Sequence, residues 1–148
     1  MQRVEFSQWI PCEPALIYQF LTDPQNLAAV VGRIEEAEVI EREGETGKVR
    51  VMLDLPARKV TETIGDVFGV LNEQLNFHTH EPFPLEFQWQ FIPQEQDGIP
   101  GTEVQASIGF DLSVFGMAMG GTLIRGIVLS ELRADMKRLE SELHEHYG

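Results

Sequence analysis

Between residues 34 and 112 apolar residues recur at every second position, whereas before and after that stretch they recur at helical spacing. The period-two stretch predicts six strands, over 34–42, 48–53, 59–68, 73–80, 85–92 and 102–112. Alternation is clearest in the last two. Leu85, Phe87, Trp89 and Phe91 share one face, with Glu86, Gln88 and Gln90 on the other. Val104, Ala106, Ile108, Phe110 and Leu112 likewise oppose Glu103, Gln105, Ser107 and Asp111. One face of the sheet is therefore apolar and the other wet. Turn-forming segments separate the strands: Glu43-Gly44-Glu45-Thr46-Gly47, Leu55-Pro56, Glu81-Pro82-Phe83-Pro84 and Gln96-Asp97-Gly98-Ile99-Pro100-Gly101. Connections this short imply hairpins and an antiparallel meander. A further strand over 4–10, with Phe6 and Trp9 as its bulky members, is stopped by Pro11.

Cys12-Glu13-Pro14 opens a first helix, with Pro suited to the first turn and Glu13 to the positive dipole end. Leu16, Ile17, Phe20 and Leu21 form its apolar stripe. Asp23-Pro24 breaks it, and a second short helix follows over 25–31, ending at Gly32. The chain closes with a long helix over 119–146, in which Ile124, Val128, Leu132, Met136, Leu139 and Leu143 make one stripe. Leu123, Ile127 and Leu129 broaden the apolar surface of its first half, which is expected to be enclosed on several sides. Gly116, Gly120, Gly121 and Gly126 cluster where strand gives way to helix, a place for a bend and a close helix–sheet approach. His144 and His146 are expected at a frayed, dipole-compatible end.

These elements predict an α+β fold: a curved antiparallel sheet of six to seven strands gripping a long C-terminal helix, with two short helices after the first strand. The chain is expected to form a single domain over 1–148. A sheet curved around one helix leaves incompletely filled space, where small ligands bind. The expected ligand-binding residues are Phe77, Phe87, Trp89, Ile108 and Phe110 on the concave face, and Leu123, Ile124, Ile127 and Val128 on the helix.

Composition narrows the partners. The formal net charge of −13 excludes nucleic acid, which is bound through Lys and Arg, and disfavours docking on anionic lipid. No apolar run approaches the roughly 18 residues of a membrane span, so stable membrane insertion is not expected. One cysteine, Cys12, cannot form an internal disulfide, and the cytoplasm is the expected location. No glycine-rich phosphate loop, dinucleotide fingerprint or Ser/His/Asp spacing is present, and no cofactor is implied.

Candidate chemistry is sparse. His78 and His80 share a strand face and could bind zinc with a third ligand such as Glu81, but alternation puts them on the wet side, and no Cys or second His pair supports them. No metal site is expected. Cys12 beside a helix start invites a depressed thiol pKa, yet no histidine lies near it in sequence, and a lone thiol suits a small packed side chain. On the strand over 59–68 two registers are open. Val60, Ile64 and Phe68 inward would carry Glu62 and Asp66 with them, whereas Thr61, Thr63 and Val67 inward would leave both acids in water. At most one of Glu62, Asp66 and Glu73 is expected inside the cavity, where its pKa would rise. Catalytic residues are therefore left unassigned. Glu35, Glu36, Glu38, Glu41, Glu43 and Glu45 read as a solvated strand and turn.

In its order of elements the chain resembles the polyketide cyclase/START-like superfamily, the helix-grip fold shared with the birch pollen allergen. The resemblance rests on Ile10-Pro11-Cys12-Glu13-Pro14-Ala15-Leu16-Ile17-Tyr18, on Leu21-Thr22-Asp23-Pro24-Gln25-Asn26-Leu27, and on Gly101-Thr102-Glu103-Val104 followed by Phe115-Gly116 and the long helix. The segment from Pro82 to Phe91 is similar to the coenzyme-Q-binding/cyclase-like branch. The resemblance implies binding or carriage of a small hydrophobic ligand: a lipid, a quinone or a polyketide-like ring compound. Two alternatives stay open: a cyclase or dehydratase acting on such a compound, and a ligand-free domain for protein contact. No protein partner is indicated.

Overall fold

A computed structural model of the chain describes residues 1–55, 59–115 and 120–148. Pro56, Gly116 and Met119, which figured in the predicted turn, bend and helix start, lie outside the described residues. The elements are β1 (Gln2–Ile10), α1 (Pro14–Leu21), α2 (Pro24–Val30), β2 (Ile34–Glu43), β3 (Thr46–Leu53), β4 (Thr61–Val70), β5 (Gln74–Thr79), β6 (Leu85–Gln96), β7 (Ile99–Phe110), a 3-10 turn (Leu112–Phe115) and α3 (Gly121–Tyr147). The fold is α+β, with one seven-stranded antiparallel open sheet in the order β1-β7-β6-β5-β4-β3-β2. Consecutive strands pair from β2 to β7, and β1 returns to close on β7.

Both short helices begin on proline. Pro14 and Pro24 occupy the first turn, where no N–H is required. Asp23 caps α2 by accepting from the Gln25 N–H at 3.0 Å. The two helices and α3 cover one face of the sheet. Ile17 and Phe20 of α1, Val4 and Ile10 of β1, Val104 and Phe110 of β7, and Met136, Leu139 and Leu143 of α3 form a closed core.

The predicted stripe of α3 is buried along its whole length. Arg133 lies over the Phe6 ring at 5.5 Å, fixing the C-terminal half of α3 against β1. His146, expected at a frayed end, instead packs on the Phe20 ring with centroids 5.2 Å apart. The first half of α3 also departs from expectation. Leu123 is 58% exposed and Ile127 only half-buried, whereas Leu129 packs partly buried against the core.

Two strands run longer than predicted. β6 and β7 continue to a two-residue turn at Asp97 and Gly98, both at positive φ (52° and 79°), the geometry of a tight hairpin. Pro93 and Pro100 lie within these strands, each beyond the last pairing on its far side. β5 meets β6 only as far as Gln74–Gln90, and β1 meets β7 only as far as Ile10–Thr102. There a missing N–H costs no ladder bond.

The outer face is mostly polar, with Ile64 and Phe68 of β4 exposed on it. Arg50 of β3 meets Glu38 at 3.1 Å and Glu62 at 3.2 Å, Lys48 faces Asp66 at 3.7 Å, and Arg3 bonds Glu86 at 2.5 Å. These exposed pairs set the register chemistry of the face and contribute little stability.

Candidate ligand-binding site

The open register on β4 resolves toward Thr63, Gly65, Val67 and Gly69 on the helix-covered face, with Glu62, Ile64, Asp66 and Phe68 exposed on the outer face. Both acids therefore stand in water, and Glu73 is exposed as well. The two inward glycines make room for rings from elsewhere. A Cβ on Gly65 would collide with the Phe77 ring of β5, and a Cβ on Gly69 with the hydroxyl of Tyr18 from α1. Phe77 and Tyr18 thus sit where a larger β4 residue would otherwise fill the interior.

Beside them the packing stops short. A cavity of about 80 Å³ opens between the sheet, the α1–α2 junction and the β2–β3 hairpin. Its apolar wall comes from Leu21 and Leu27 of the helices, Val39 and Val49 of the hairpin strands, and Phe77, Phe87 and Trp89 of β5 and β6. Val39 is inward in register, paired with Val49, yet remains 39% exposed because it stands at the mouth. For comparison, an engineered apolar cavity of ~150 Å³ admits benzene. The space is thus small but open at one end.

The mouth carries the polar groups. The Tyr18 hydroxyl donates to Glu45 Oε1 at 2.8 Å, and Arg42 lies 4.0 Å from the same carboxylate. Burial, then the hydrogen bond to Glu45 and its charge, push the Tyr18 hydroxyl up to about 12, so at neutral pH it is a fixed proton donor. The Glu45 carbonyl accepts from the Gly69 N–H at 2.7 Å, tying the hairpin turn to β4. Asn76 borders the cavity from β5 but turns its side chain to the outer face, where it donates to the Phe68 carbonyl and accepts from Gln88.

A second space of about 20 Å³ lies deeper, between the sheet and α3, lined by Leu55, Leu85, Phe87, Ile108, Val128 and Leu132 among others. At its edge Arg33 is paired with Glu131, and Asp135 accepts from the Gly32 N–H at 3.1 Å and from Arg138. Burial raises the Asp135 pKa against the opposing pull of those two donors. A broad groove of about 790 Å³ at the start of α1, bordered by Pro14, Val70, Ile92 and Pro93 as well as Glu13, Asn72 and Glu73, is wide open and encloses nothing.

The expected ligand-binding residues divide among these places. Phe77, Phe87 and Trp89 line the larger cavity, and Phe87, Ile108 and Val128 the smaller. Phe110 and Ile124 belong to the closed core. Leu123 and Ile127 line neither space. The larger cavity therefore sits under the short helices rather than under α3, and Tyr18, Leu27, Val39, Arg42 and Glu45 were not anticipated. Gly65 and Gly69, four apart in one strand, were the available signal, since an interior strand glycine marks a close approach.

His78 and His80 lie on the outer face, their rings 4.3 Å apart, with His80 Nε2 3.7 Å from Asp66. No group of three His, Cys, Asp or Glu among the described residues is placed to hold a metal ion. Cys12 is partly buried against the core, the preferred reading of a lone thiol: burial pushes its pKa up, with the Glu13 charge adding to the rise and a backbone hydrogen bond at Glu13 opposing it.

No family model matches the chain, and no curated protein matches it. Solved structures do. A protein of Thermus thermophilus superposes with a TM-score of 0.77 at 21% identity, over 99% of this chain and 100% of that one. A START superfamily protein from Mycobacterium smegmatis gives 0.78 at 13% identity, over 97% of each chain. The chain has the polyketide cyclase/START-like fold. An aromatase/cyclase from a Streptomyces species shares this START-like fold with a TM-score of 0.75 at 14% identity, over 99% of this chain and 96% of that one. At these identities the likeness concerns the fold, and the function must come from the site. No helix among the described residues is long and apolar enough to cross a membrane.

Proposed function

We propose that this START-like protein binds and carries a small hydrophobic molecule, a lipid, quinone or polyketide-like ring compound, in the cavity beneath α1, α2 and the β2–β3 hairpin. The observation that carries this reading is the wall: Leu21, Leu27, Val49, Phe77 and Trp89 face a space that they do not fill. Apolar side chains around an unfilled space gain dispersion contacts when a ligand enters. The polar cluster of Tyr18, Arg42 and Glu45 sits at the mouth, where it can meet the polar end of a ligand whose body is inside. Catalysis has a weaker footing, because the buried donor, Tyr18, is already committed to Glu45 and faces no second buried ionisable group across the cavity.

The neutral fluorescent probe N-phenyl-1-naphthylamine tests the reading. Wild-type protein is expected to bind it, and Leu27→Trp, which fills the cavity from α2, to bind it at least tenfold more weakly while staying folded. Native mass spectrometry of freshly purified protein, followed by solvent extraction, is expected to show an apolar companion molecule. A wild type that binds no probe and yields no extractable molecule defeats the proposal.

A further inference from the structure

The larger cavity ends at one ring rather than at a wall of the fold. Phe87 borders both the larger and the smaller space, and the residue facing it from the end of α2, Val31, also borders both. Phe87 occupies the middle of the helix-covered face, paired with Phe77 on one side and Ile108 on the other. Its strand neighbours Leu85 and Trp89 are 1% and 5% exposed, but Phe87 is only half-buried. It is the most exposed of the inward residues Leu85, Phe87, Trp89 and Phe91. Against Phe77 it makes a tilted contact with centroids 5.9 Å apart.

Beyond Phe87 the smaller space asks for no charge. Its ionic groups are matched to one another: Arg33 with Glu131, and Asp135 with Arg138 and the Gly32 N–H. The remaining lining there is aliphatic. A molecule that passed Phe87 would find an apolar end toward α3 and polar partners only at the mouth behind it.

We infer that Phe87 is the specificity-determining partition of the site: its ring sets how long an apolar body the protein accepts, and its displacement joins the two spaces into one channel from the β2–β3 hairpin to α3. The ligand class follows as a single-headed amphiphile, with its polar end at Tyr18, Arg42 and Glu45 and its apolar body running inward. This inference rests on the proposed binding function.

Straight-chain alcohols from hexanol to hexadecanol, competing with N-phenyl-1-naphthylamine, provide the ruler. In the wild type, affinity is expected to rise about fourfold per added methylene and then level off where the chain meets Phe87. In Phe87→Ala the levelling should move to chains several carbons longer, with the longest alcohols bound at least tenfold more tightly than by the wild type. Phe87→Leu, a milder change that protects against loss of folding, should move it in the same direction by less. Adding Ile108→Phe to either variant refills the deeper space and should take the gain back. If the levelling length is the same in the wild type, Phe87→Ala and Phe87→Leu while the probe still binds, the partition is refuted and the binding function stands. A gain that Ile108→Phe does not reverse refutes the channel. Absence of probe and alcohol binding in every form removes the binding function and this inference together.

Discussion

The two ends of the helix-covered face use the same kinds of side chain to opposite effect. At the β1–β7 end, Phe110, Val104, Ile17, Met136 and Leu139 are all fully buried, and rings from β1 and α1 are clamped by Arg133 and His146 of α3. At the β2–β6 end, Val39, Val67, Phe77 and Phe87 also point inward but surround empty space. The difference lies in what covers each end. A helix of 27 residues with a continuous buried stripe lies over the first, whereas α1 and α2, of 8 and 7 residues, bridge the second. Short helices meeting at a proline-marked break cannot supply enough side chain to fill the concavity beneath them. One end of the molecule therefore holds the fold together, and the other is free to hold something else.

The largest effect should come from the closed end. Met136→Ala removes a fully buried side chain whose neighbours cannot collapse, and urea unfolding is expected to show a loss of about 2–5 kcal/mol. A loss below ~1 kcal/mol would mean that this end is as loosely packed as the other. Next comes the mouth. Tyr18→Phe deletes one hydrogen bond to a partly exposed carboxylate and should cost about 0.5–1.5 kcal/mol.

The same substitution changes the alkaline limb of stability. Folded Tyr18 keeps its proton up to about 12, whereas the unfolded residue loses it near the ordinary value of 10. The unfolded state thus releases its proton first as pH rises. The Tyr18 contribution is fully present below pH 10 and is lost as pH climbs from 10 to about 12. The wild type should lose stability relative to Tyr18→Phe across that window, read as converging melting temperatures. Parallel curves would show that the hydroxyl is not enclosed.

The smallest effect belongs to the cavity rim. Val39→Ala trims a half-exposed side chain that borders space already empty, and should change stability by less than ~0.5 kcal/mol. It should nevertheless weaken or alter probe binding. A cost near that of Met136→Ala would erase the distinction between the two ends.

Much of this architecture was legible along the chain. Period-two alternation in β6 and β7 assigns Phe87, Trp89, Ile108 and Phe110 to one face and Gln88 and Gln90 to the other, because successive strand residues point to opposite sides. The four- and three-residue spacing from Ile124 to Leu143 likewise identifies the buried stripe of α3. Proline and Asp-Pro signals set the short helices to within a residue or two. These are local properties of the backbone, and sequence determines them by itself.

The tertiary structure decided the rest. Whether Glu62 and Asp66 or Thr63 and Val67 turned inward depended on pairing with β3 and β5, since β4 carries apolar residues on both faces. The exposure of Leu123 and Ile127 depended on what lies beside α3, because an apolar residue on a helix has no inside until a neighbour supplies one. Tyr18 and Glu45, 27 residues apart, meet only because α1 folds back over the β2–β3 hairpin and two glycines on β4 leave room for the ring. A cavity is the space that side chains from distant elements fail to fill, so its position is a property of packing, not of any one segment.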